Sequence, residues 1–395
     1  MHLQTLSFAG YRSFAARSPA APDRTLENLH LAPVTILLGK NNSGKSTVAR
    51  LLRHVLVALG ADGPDPFPMS GNGVIFGSSF RDVQHGENFF SPLDLEIALR
   101  AEGGRSTSLA VQLIQLGELA YDSAPVLDKC EFNGVELDIS NSKVRGLLPD
   151  IDDAKFWRES ARDLFDASCH IAPIRDPVKH LYSVDPSSRA FLSPNTNDIV
   201  AQMLLNDVEL RNAVGAWMAE NLDGWRVDVK QSLDVFQLLA RRAGRDTNLA
   251  DAGQGIQQVL PVVALCCWRG LGRGSSPFLD ILEQPELHLH DAAHAALGDL
   301  LLSAVPTGVG TLVVETHSEA LVLRIRRRIA EGLDPNMVSI VYIEDIGEGS
   351  RIRKIPINED GSVEWWPEGV FSESYVEAKA IRQAQRRRES NAVRN

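Results

Sequence analysis

The segment Gly-Lys-Asn-Asn-Ser-Gly-Lys-Ser at residues 39–46 constrains this chain more than any other feature. It follows a short apolar run, Val34–Leu38, and precedes Thr47–Leu59, where apolar residues recur at helical spacing. A glycine-rich loop between a strand and a helix is typical of a site where backbone N–H groups surround phosphate oxygens. The positive end of the following helix points at the same anion. The sequence therefore predicts a phosphate-binding loop. Its candidate binding residues are Gly39, Asn41, Asn42, Ser43, Gly44, Lys45, Ser46 and Thr47.

The same loop and a distant acidic residue predict a site for a nucleotide and Mg²⁺. Lys45 is placed to reach the β- and γ-phosphates, and the hydroxyl of Ser46 is placed to ligate the metal ion. A second ligand is expected from a carboxylate at the end of a neighbouring strand. The apolar run Pro277–Leu282 predicts such a strand, and Glu283 follows it directly.

The residues after Glu283 determine how fast a bound nucleotide could be hydrolysed. Many ATPases with a phosphate-binding loop of this kind carry, directly after the metal-binding acid, the carboxylate that activates the attacking water. Gln284 occupies that position here. An amide can orient water but cannot take its proton. We therefore expect slow hydrolysis, or general-base action by Glu286 from two residues further along. The alternative for Glu286 is an acid that favours a helix N-terminus.

A third polar cluster follows another predicted buried strand, Thr311–Val314. It reads Glu-Thr-His-Ser-Glu over residues 315–319. Ligands of α/β sheets bind at the carboxyl ends of the strands, so His317 is a candidate hydrogen-bond donor to the γ-phosphate or to water.

Strands that alternate with helices predict an α/β fold with a mostly parallel sheet. Antiparallel strands are expected near the N-terminus, at Leu93–Leu99 and Ser108–Gln115. The middle of the chain has helical periodicity at Ile199–Glu220 and Leu233–Arg242, without sustained heptads. We divide the chain into an N-terminal ATPase lobe, a mainly helical insertion, a C-terminal ATPase lobe and a basic tail. The boundaries are 1–144, 145–245, 246–378 and 379–395.

These motifs, in this order, resemble the ABC-type ATPase heads of the SMC/RecF/OLD group. The likeness is strongest in Leu-Glu-Gln-Pro-Glu-Leu-His-Leu-His-Asp at 282–291, in the segment 315–329 and in the segment 359–371. It covers roughly residues 1–100 and 245–375. The resemblance implies a P-loop NTPase fold of the ABC-head type, with ATP and Mg²⁺ as ligands.

The resemblance also assigns roles to residues that the motifs alone do not reach. Arg12, in the turn after the first strand, would approach the phosphates or the adenine. Gln84 would lie at the family's Q-loop, beside the nucleotide and its metal ion. Residues 249–260 occupy the place of the signature segment, where Gly253, Gly255 and Gln257 would contact ATP on the opposite subunit. The serine usual in that segment is replaced by glycine or glutamine.

The resemblance implies a head-to-tail homodimer or higher oligomer that sandwiches nucleotide. OLD-like relatives carry a Toprim-type nuclease module after the ATPase, and we expect none here. A separate effector protein, a nuclease or a toxin, is the implied partner, as in bacterial anti-phage systems. The four cysteines lack metal-site spacing, and the sequence has neither a secretory signal nor a membrane-spanning run. We therefore expect a cytoplasmic protein.

Three other functions stay open at the sequence level. A RecF-like DNA clamp needs a basic surface, and the net charge of −11 argues against one. Two basic clusters, Arg324–Arg328 and the tail, keep nucleic-acid binding open, although each is also typical of a solvated helix face. Gln284 favours a nucleotide-locked scaffold with negligible turnover. The histidines His288, His290 and His294 suggest a metal nuclease, which we consider the weakest hypothesis.

Overall fold

The computed structural model describes residues 2–17, 26–86, 91–100, 106–115, 125–140, 142–149, 151–185, 196–274, 277–305, 310–371, 377 and 379–385. In these ranges, no helix combines the length and apolar character needed to cross a bilayer. Of the basic tail, residues 379–385 are helical and exposed, whereas 386–395 lie outside the described residues.

A six-stranded sheet forms the centre of the chain, and five of its strands run parallel. In order across the sheet the strands are β10 (His170–Ile171), β15 (Leu279–Glu283), β16 (Thr311–Glu315), β3 (Val34–Gly39), β17 (Val338–Asp345) and β18 (Ser350–Ile355). Strand β18 is antiparallel to β17 at the edge. The inner strands are continuous apolar runs because both faces of the sheet are covered. This arrangement confirms the predicted α/β fold.

A second six-stranded sheet is antiparallel and is built from the N-terminal part of the chain. Its order is β2 (Glu27–His30), β1 (His2–Ala9), β6 (Leu93–Arg100), β7 (Ser106–Ile114), β8 (Val126–Phe132) and β9 (Val135–Glu136). Burial alternates along β7, where the side chains of Leu109, Val111 and Leu113 face a core. The antiparallel pairing of β6 with β7 is the one that the sequence predicts.

The middle region contains strands that sequence periodicity missed. A small sheet joins β11 (Tyr182–Ser183), β12 (Arg226–Ser232), β13 (Val235–Arg242) and β14 (Arg245–Asn248). The prediction of a helix at Leu233–Arg242 is therefore wrong. Leu233 has a φ of 53° in the tight turn between β12 and β13, and the hairpin buries Phe236 and Leu238. A further two-stranded sheet pairs β4 (Ser70–Gly71) with β5 (Val74–Ile75).

Seven complete α-helices lie within the described residues. They are α1 (Lys45–Gly60), α2 (Ala154–Ala167), α3 (Asn197–Asn206), α4 (Val208–Asn221), α5 (Gln254–Gly270), α6 (Asp291–Ser303) and α7 (Glu319–Ala330). Two hydrophobic cores cover the opposite faces of the central sheet. In β3, Val34, Ile36 and Leu38 belong to the core that contains α3–α7, whereas Leu37 belongs to the core that contains α1 and α2. The N-terminal, middle and C-terminal parts of the chain therefore all contribute strands to one central sheet.

A buried ion pair ties α5 to β15. The guanidinium of Arg269 donates to both carboxylate oxygens of Asp280, at 2.8 and 3.0 Å, and both side chains are fully buried. Burial raises the pKa of Asp280, and Arg269 opposes that shift. The carboxylate also accepts a hydrogen bond from the backbone N–H of Cys169.

We expect Arg269→Leu to lower the free energy of unfolding by about 3–5 kcal/mol, because it leaves Asp280 buried without its cation. Chemical denaturation measures this change. Arg327→Leu is the matched control, since the pair of Arg327 with Glu331 is exposed and screened by solvent, so its loss should change the stability little. A loss as small as that of the control would contradict the assigned role of the buried pair.

Candidate functional site

The loop at residues 39–46 connects β3 to α1. Both of its glycines are needed because the surrounding atoms leave no room for a side chain. A Cβ at Gly39 would lie 2.4 Å from the carbonyl oxygen of Ile343. Gly44 has a φ of 104°, and a Cβ there would lie 2.7 Å from the hydroxyl of Ser13. A side chain at either position would push the loop away from its neighbours. The loop is therefore held tightly at the point where α1 begins.

Lys45 lies buried inside this loop. Its Nζ donates to the carbonyl oxygens of Gly39 and Lys40, at 3.0 and 2.9 Å. The carboxylate of Glu315 lies 3.8 Å away. Burial lowers the pKa of Lys45, and Glu315 opposes that shift. The ammonium group is thus fixed at the centre of the loop by groups at the ends of β3 and β16.

The other predicted loop residues surround this centre. Asn41 and Asn42 are exposed, and Asn42 has a φ of 64°. The hydroxyl of Ser43 is buried and has no hydrogen-bond partner among the described residues. A tight glycine-containing loop with a buried unpaired hydroxyl and an ammonium group fits a phosphate. Thr47 lies in the first turn of α1.

Glu315 is a site residue that sequence reasoning did not select. Its Oε2 accepts a hydrogen bond of 2.8 Å from the hydroxyl of Ser46. It is also the register partner of Glu283 on the adjacent strand. Burial raises the pKa of Glu315; Ser46 and Lys45 oppose the rise, and Glu283 adds to it. The sequence signal was available, since Glu315 ends a buried strand as Glu283 does.

Two carboxylates and a hydroxyl therefore meet beside the phosphate loop. Glu283 and Glu315 are both buried, and the hydroxyl of Ser46 contacts Glu315. Hard oxygen ligands of this kind fit a divalent cation such as Mg²⁺. The predicted ligands Ser46 and Glu283 are thus brought to neighbouring strand ends, although their role as ligands stays a prediction.

The segment after Glu283 turns back over the end of β16. The backbone N–H of Gln284 donates to the carbonyl of Glu315 at 2.7 Å, and Gln284 has a φ of 45°. Glu286 is buried, and its Oε1 accepts a 2.7 Å hydrogen bond from the backbone N–H of His317. Its Oε2 is buried without a hydrogen-bond partner among the described residues. The three predicted residues Gln284, Glu286 and His317 thus line one cleft, of about 470 Å³.

The side chain of His317 lines this cleft and is exposed, and its lowered pKa favours the neutral imidazole. Partial burial lowers its pKa, the ammonium of Lys45 lowers it further, and Glu286 partly opposes both. A neutral imidazole can donate one hydrogen bond and accept another. His294, in the same cleft, contacts the hydroxyl of Ser318 at 2.9 Å and the carbonyl of Leu289 at 3.3 Å. Both of its nitrogens therefore hold the loop together, which does not favour a metal-ligating role.

Arg12 and Gln84 lie together beside the loop. The backbone N–H of Arg12 donates to Val83, and its guanidinium donates to the carbonyl of Phe76. The backbone of Gln84 forms an isolated β-bridge with Tyr11, and its side-chain amide donates to the carbonyl of Ser91 at 3.2 Å. The Oε1 of Gln84 is buried without a hydrogen-bond partner among the described residues. The adjacent Ser13 lies against Gly44, so this turn borders the site. Contacts of Arg12 and Gln84 with a nucleotide stay predictions.

The predicted signature segment packs on the turn after Glu283. Helix α5 starts after Gly253, and a Cβ at Gly255 would lie 2.5 Å from the carbonyl of His288. The side chain of Gln257 is engaged internally, because it donates to two carbonyls, of Ala250 and Ala252, and accepts from a backbone N–H. Of the three predicted residues, Gly253 is exposed, Gly255 is half-buried and Gln257 is buried.

The arginines of α7 are paired within the chain. Arg324 and Arg328 both bind the carboxylate of Asp299. Arg327 and Arg328 bind Glu331, and Arg326 donates to the carbonyl of Gly361. Two carboxylates therefore offset part of the positive charge of these four arginines, which weakens the hypothesis of a phosphate-contacting patch there.

Comparison with known proteins places this site in a known fold. No protein-family model and no curated protein matches the chain. A solved SMC head bound to the C-terminal winged-helix domain of ScpA aligns over 90% of this chain and 98% of its own, with a TM-score of 0.52 and 12% identity. An SMC head from Thermotoga maritima aligns over 90% and 100%, with a TM-score of 0.47 and 13% identity. An SMC head from Pyrococcus furiosus bound to the C-terminal domain of ScpA aligns over 90% and 96%, with a TM-score of 0.49 and 10% identity.

The alignment with the ScpA-bound SMC head, together with the loop between β3 and α1, defines the class of fold. The chain has the fold of the ABC-type ATPase heads of the SMC group. This confirms the fold that the motifs in residues 39–46, 282–291 and 315–329 led us to expect.

We expect Lys45→Ala to abolish detectable binding of an ATP analogue, because the loop would lose the ammonium group that is predicted to reach the phosphates. Fluorescence titration with a labelled ATP analogue measures the affinity. Lys179→Ala is the matched control, since Lys179 forms an exposed pair with Asp198 elsewhere on the chain. Unchanged binding by the Lys45 variant would overturn the assignment of the whole site.

Proposed function

We propose that this protein is an ATP-binding and slowly ATP-hydrolysing switch that dimerises head to tail and controls a separate effector protein. The observation that carries the proposal is the convergence of Lys45, Ser46, Glu283 and Glu315 at the ends of three neighbouring strands. A phosphate loop and a pair of buried carboxylates together suit a nucleoside triphosphate with its divalent ion. ATP as the nucleotide follows from the ABC-head resemblance.

In this proposal the chain's own groups divide the work. The loop backbone and Lys45 bind the phosphates, and the hydroxyl of Ser46 with Glu283 and Glu315 holds Mg²⁺. Bound Mg²⁺ would supply electrostatic stabilisation of the charge that develops on the phosphates. His317, neutral and beside Lys45, donates a hydrogen bond to the γ-phosphate or to the attacking water.

Glu286 is the proposed general base. Its Oε1 is used by the backbone of His317, but its buried Oε2 has no partner among the described residues and is available to accept a proton from water. The amide of Gln284 lines the same cleft and can orient that water. When water attacks the γ-phosphorus, its proton passes to Glu286 and the bond to the β-phosphate oxygen breaks, which releases ADP and phosphate.

We expect Glu286→Gln to lower ATP turnover by about 10²–10⁴-fold, which is the usual contribution of a general base. The amide keeps an oxygen for the N–H of His317, so the loop stays in place and nucleotide affinity changes little. Phosphate release and analogue binding measure the two effects separately.

Gln284→Glu, measured in the same way, adds a carboxylate at the usual position and should raise turnover. Unchanged turnover in the Glu286 variant would show that Glu286 is not the base. Turnover near zero in the wild type, with intact ATP binding, would instead favour the nucleotide-locked scaffold.

A head-to-tail homodimer would place the start of α5 of one chain against ATP bound to the other. The backbone N–H groups at Gly253 and Gly255 and the helix dipole of α5 favour a phosphate. The loss of the usual serine weakens this contact but leaves the backbone donors. Binding of ATP would close the interface and hydrolysis would open it.

We expect the Glu286→Gln variant to form dimers with ATP and Mg²⁺, because slow hydrolysis prolongs the closed state. Light scattering measures the mass, which should rise from 43.2 kDa towards twice that value. ADP with the same protein is the control and should leave the monomer. A mass that does not depend on the nucleotide would contradict the switch.

The effector would be a nuclease or a toxin in bacterial anti-phage defence, an expectation that rests on the family resemblance. The α7 arginines are paired with acidic residues, which does not favour a DNA clamp. Nucleic-acid binding by the basic tail is still part of the proposal. The four free cysteines support a cytoplasmic location. Identification of proteins that copurify with the native chain tests this part of the proposal.

A further inference from the structure

A short strand from the middle region reaches the catalytic end of the central sheet. Strand β10 pairs in parallel with β15, with His170 beside Ile281 and Ile171 beside Leu282. This pairing brings the His170 side chain to Glu283 at the end of β15. Sequence reasoning did not select His170, because a two-residue strand leaves no periodic pattern.

The imidazole of His170 bridges two charged groups. Its Nε2 lies 2.6 Å from Oε1 of Glu283, and its Nδ1 lies 2.9 Å from Nη1 of Arg53 on α1. A guanidinium can only donate, so Nδ1 must accept. The imidazole proton is then on Nε2, and His170 donates it to Glu283. The direction of both hydrogen bonds is therefore fixed by Arg53.

The same segment also holds the backbone at this strand end. Nη2 of Arg175 donates to the carbonyls of Glu283 and Gln284, at 3.1 and 3.0 Å. Its Nη1 donates to the carbonyl of Gln258 on α5, at 3.0 Å. Residues 170–175 therefore contact both the side chain and the main chain of the predicted metal-binding strand end.

We propose that His170 is a positioning residue that fixes one carboxylate oxygen of Glu283 and thereby orients the other towards the divalent cation. This inference rests on the proposed function, in which Glu283 and Ser46 hold Mg²⁺. Groups that hydrogen-bond to a metal ligand set its orientation, and their loss commonly costs about 10–100-fold in metal affinity. The link from Arg53 through His170 to Glu283 also connects the nucleotide loop's helix to the middle region.

Two substitutions of His170 separate its two hydrogen bonds. The amide N–H of glutamine can occupy the place of Nε2, so His170→Gln keeps a donor to Glu283. Asparagine is shorter and reaches only the place of Nδ1, so His170→Asn loses that donor. The control is His30→Asn, at an exposed position of strand β2 away from these contacts.

The experiment measures how Mg²⁺ increases the affinity for a fluorescent ATP analogue, with EDTA as the metal-free reference. We expect His170→Asn to need about 10–100-fold more Mg²⁺ for half-saturation, with unchanged affinity in EDTA. His170→Gln should need clearly less Mg²⁺ than His170→Asn and stay close to the wild type, because it keeps the donor to Glu283. Thermal unfolding of each variant reports whether the fold is intact.

The outcomes distinguish this inference from the proposed function. Equal Mg²⁺ requirements of the Asn variant and the wild type would overturn the role of His170 while leaving the ATP site intact. An equally large increase in both variants would also overturn it, since the donor would then not matter. Failure of the wild type to bind the analogue would instead remove the proposed function, and the inference with it.

Discussion

Negative charge buried at the ends of β15 and β16 is the constraint on which the rest of this site depends. Glu283 and Glu315 are register neighbours, and Glu286 lies just beyond them, with all three side chains buried. Carboxylates on neighbouring residues of this kind repel one another strongly where water is scarce. The surroundings compensate with cations: Lys45 faces Glu315, and Arg53 contacts Glu283 through His170. The protein's own cations therefore partly neutralise these buried carboxylates. A bound divalent cation would take over part of that neutralisation.

The fold supplies these cations from two different parts of the chain. Lys45 and Arg53 come from α1, which packs in the core under the N-terminal sheet. Arg175 comes from the middle region, where it is almost fully buried, and burial lowers its pKa to about 10 while Glu286 opposes the shift. Because each part contributes to one charge balance, the middle region is a component of the site as well as a neighbour of the two lobes.

The sequence predicted those features that depend on local pattern. The loop at residues 39–46 and the apolar strands before Glu283 and Glu315 could be identified because their spacing and composition are local properties. His170 and Arg175 could not, since their role arises from the pairing of β10 with β15, more than a hundred residues apart. The hairpin ending in Val235–Arg242 was mistaken for a helix because a short apolar run satisfies both periodicities. The boundaries at 144 and 245 stay predictions.

The absence of a side chain at Gly255 lets the start of α5 lie against the turn that follows Glu283. Helix α5 lies directly on the carbonyl of His288, and from there it runs into the core through Val259 and Leu260. Any side chain at this position would force the start of α5 away from that turn. The close packing of the helix on the strand end therefore depends on a residue that brings only its backbone to the contact.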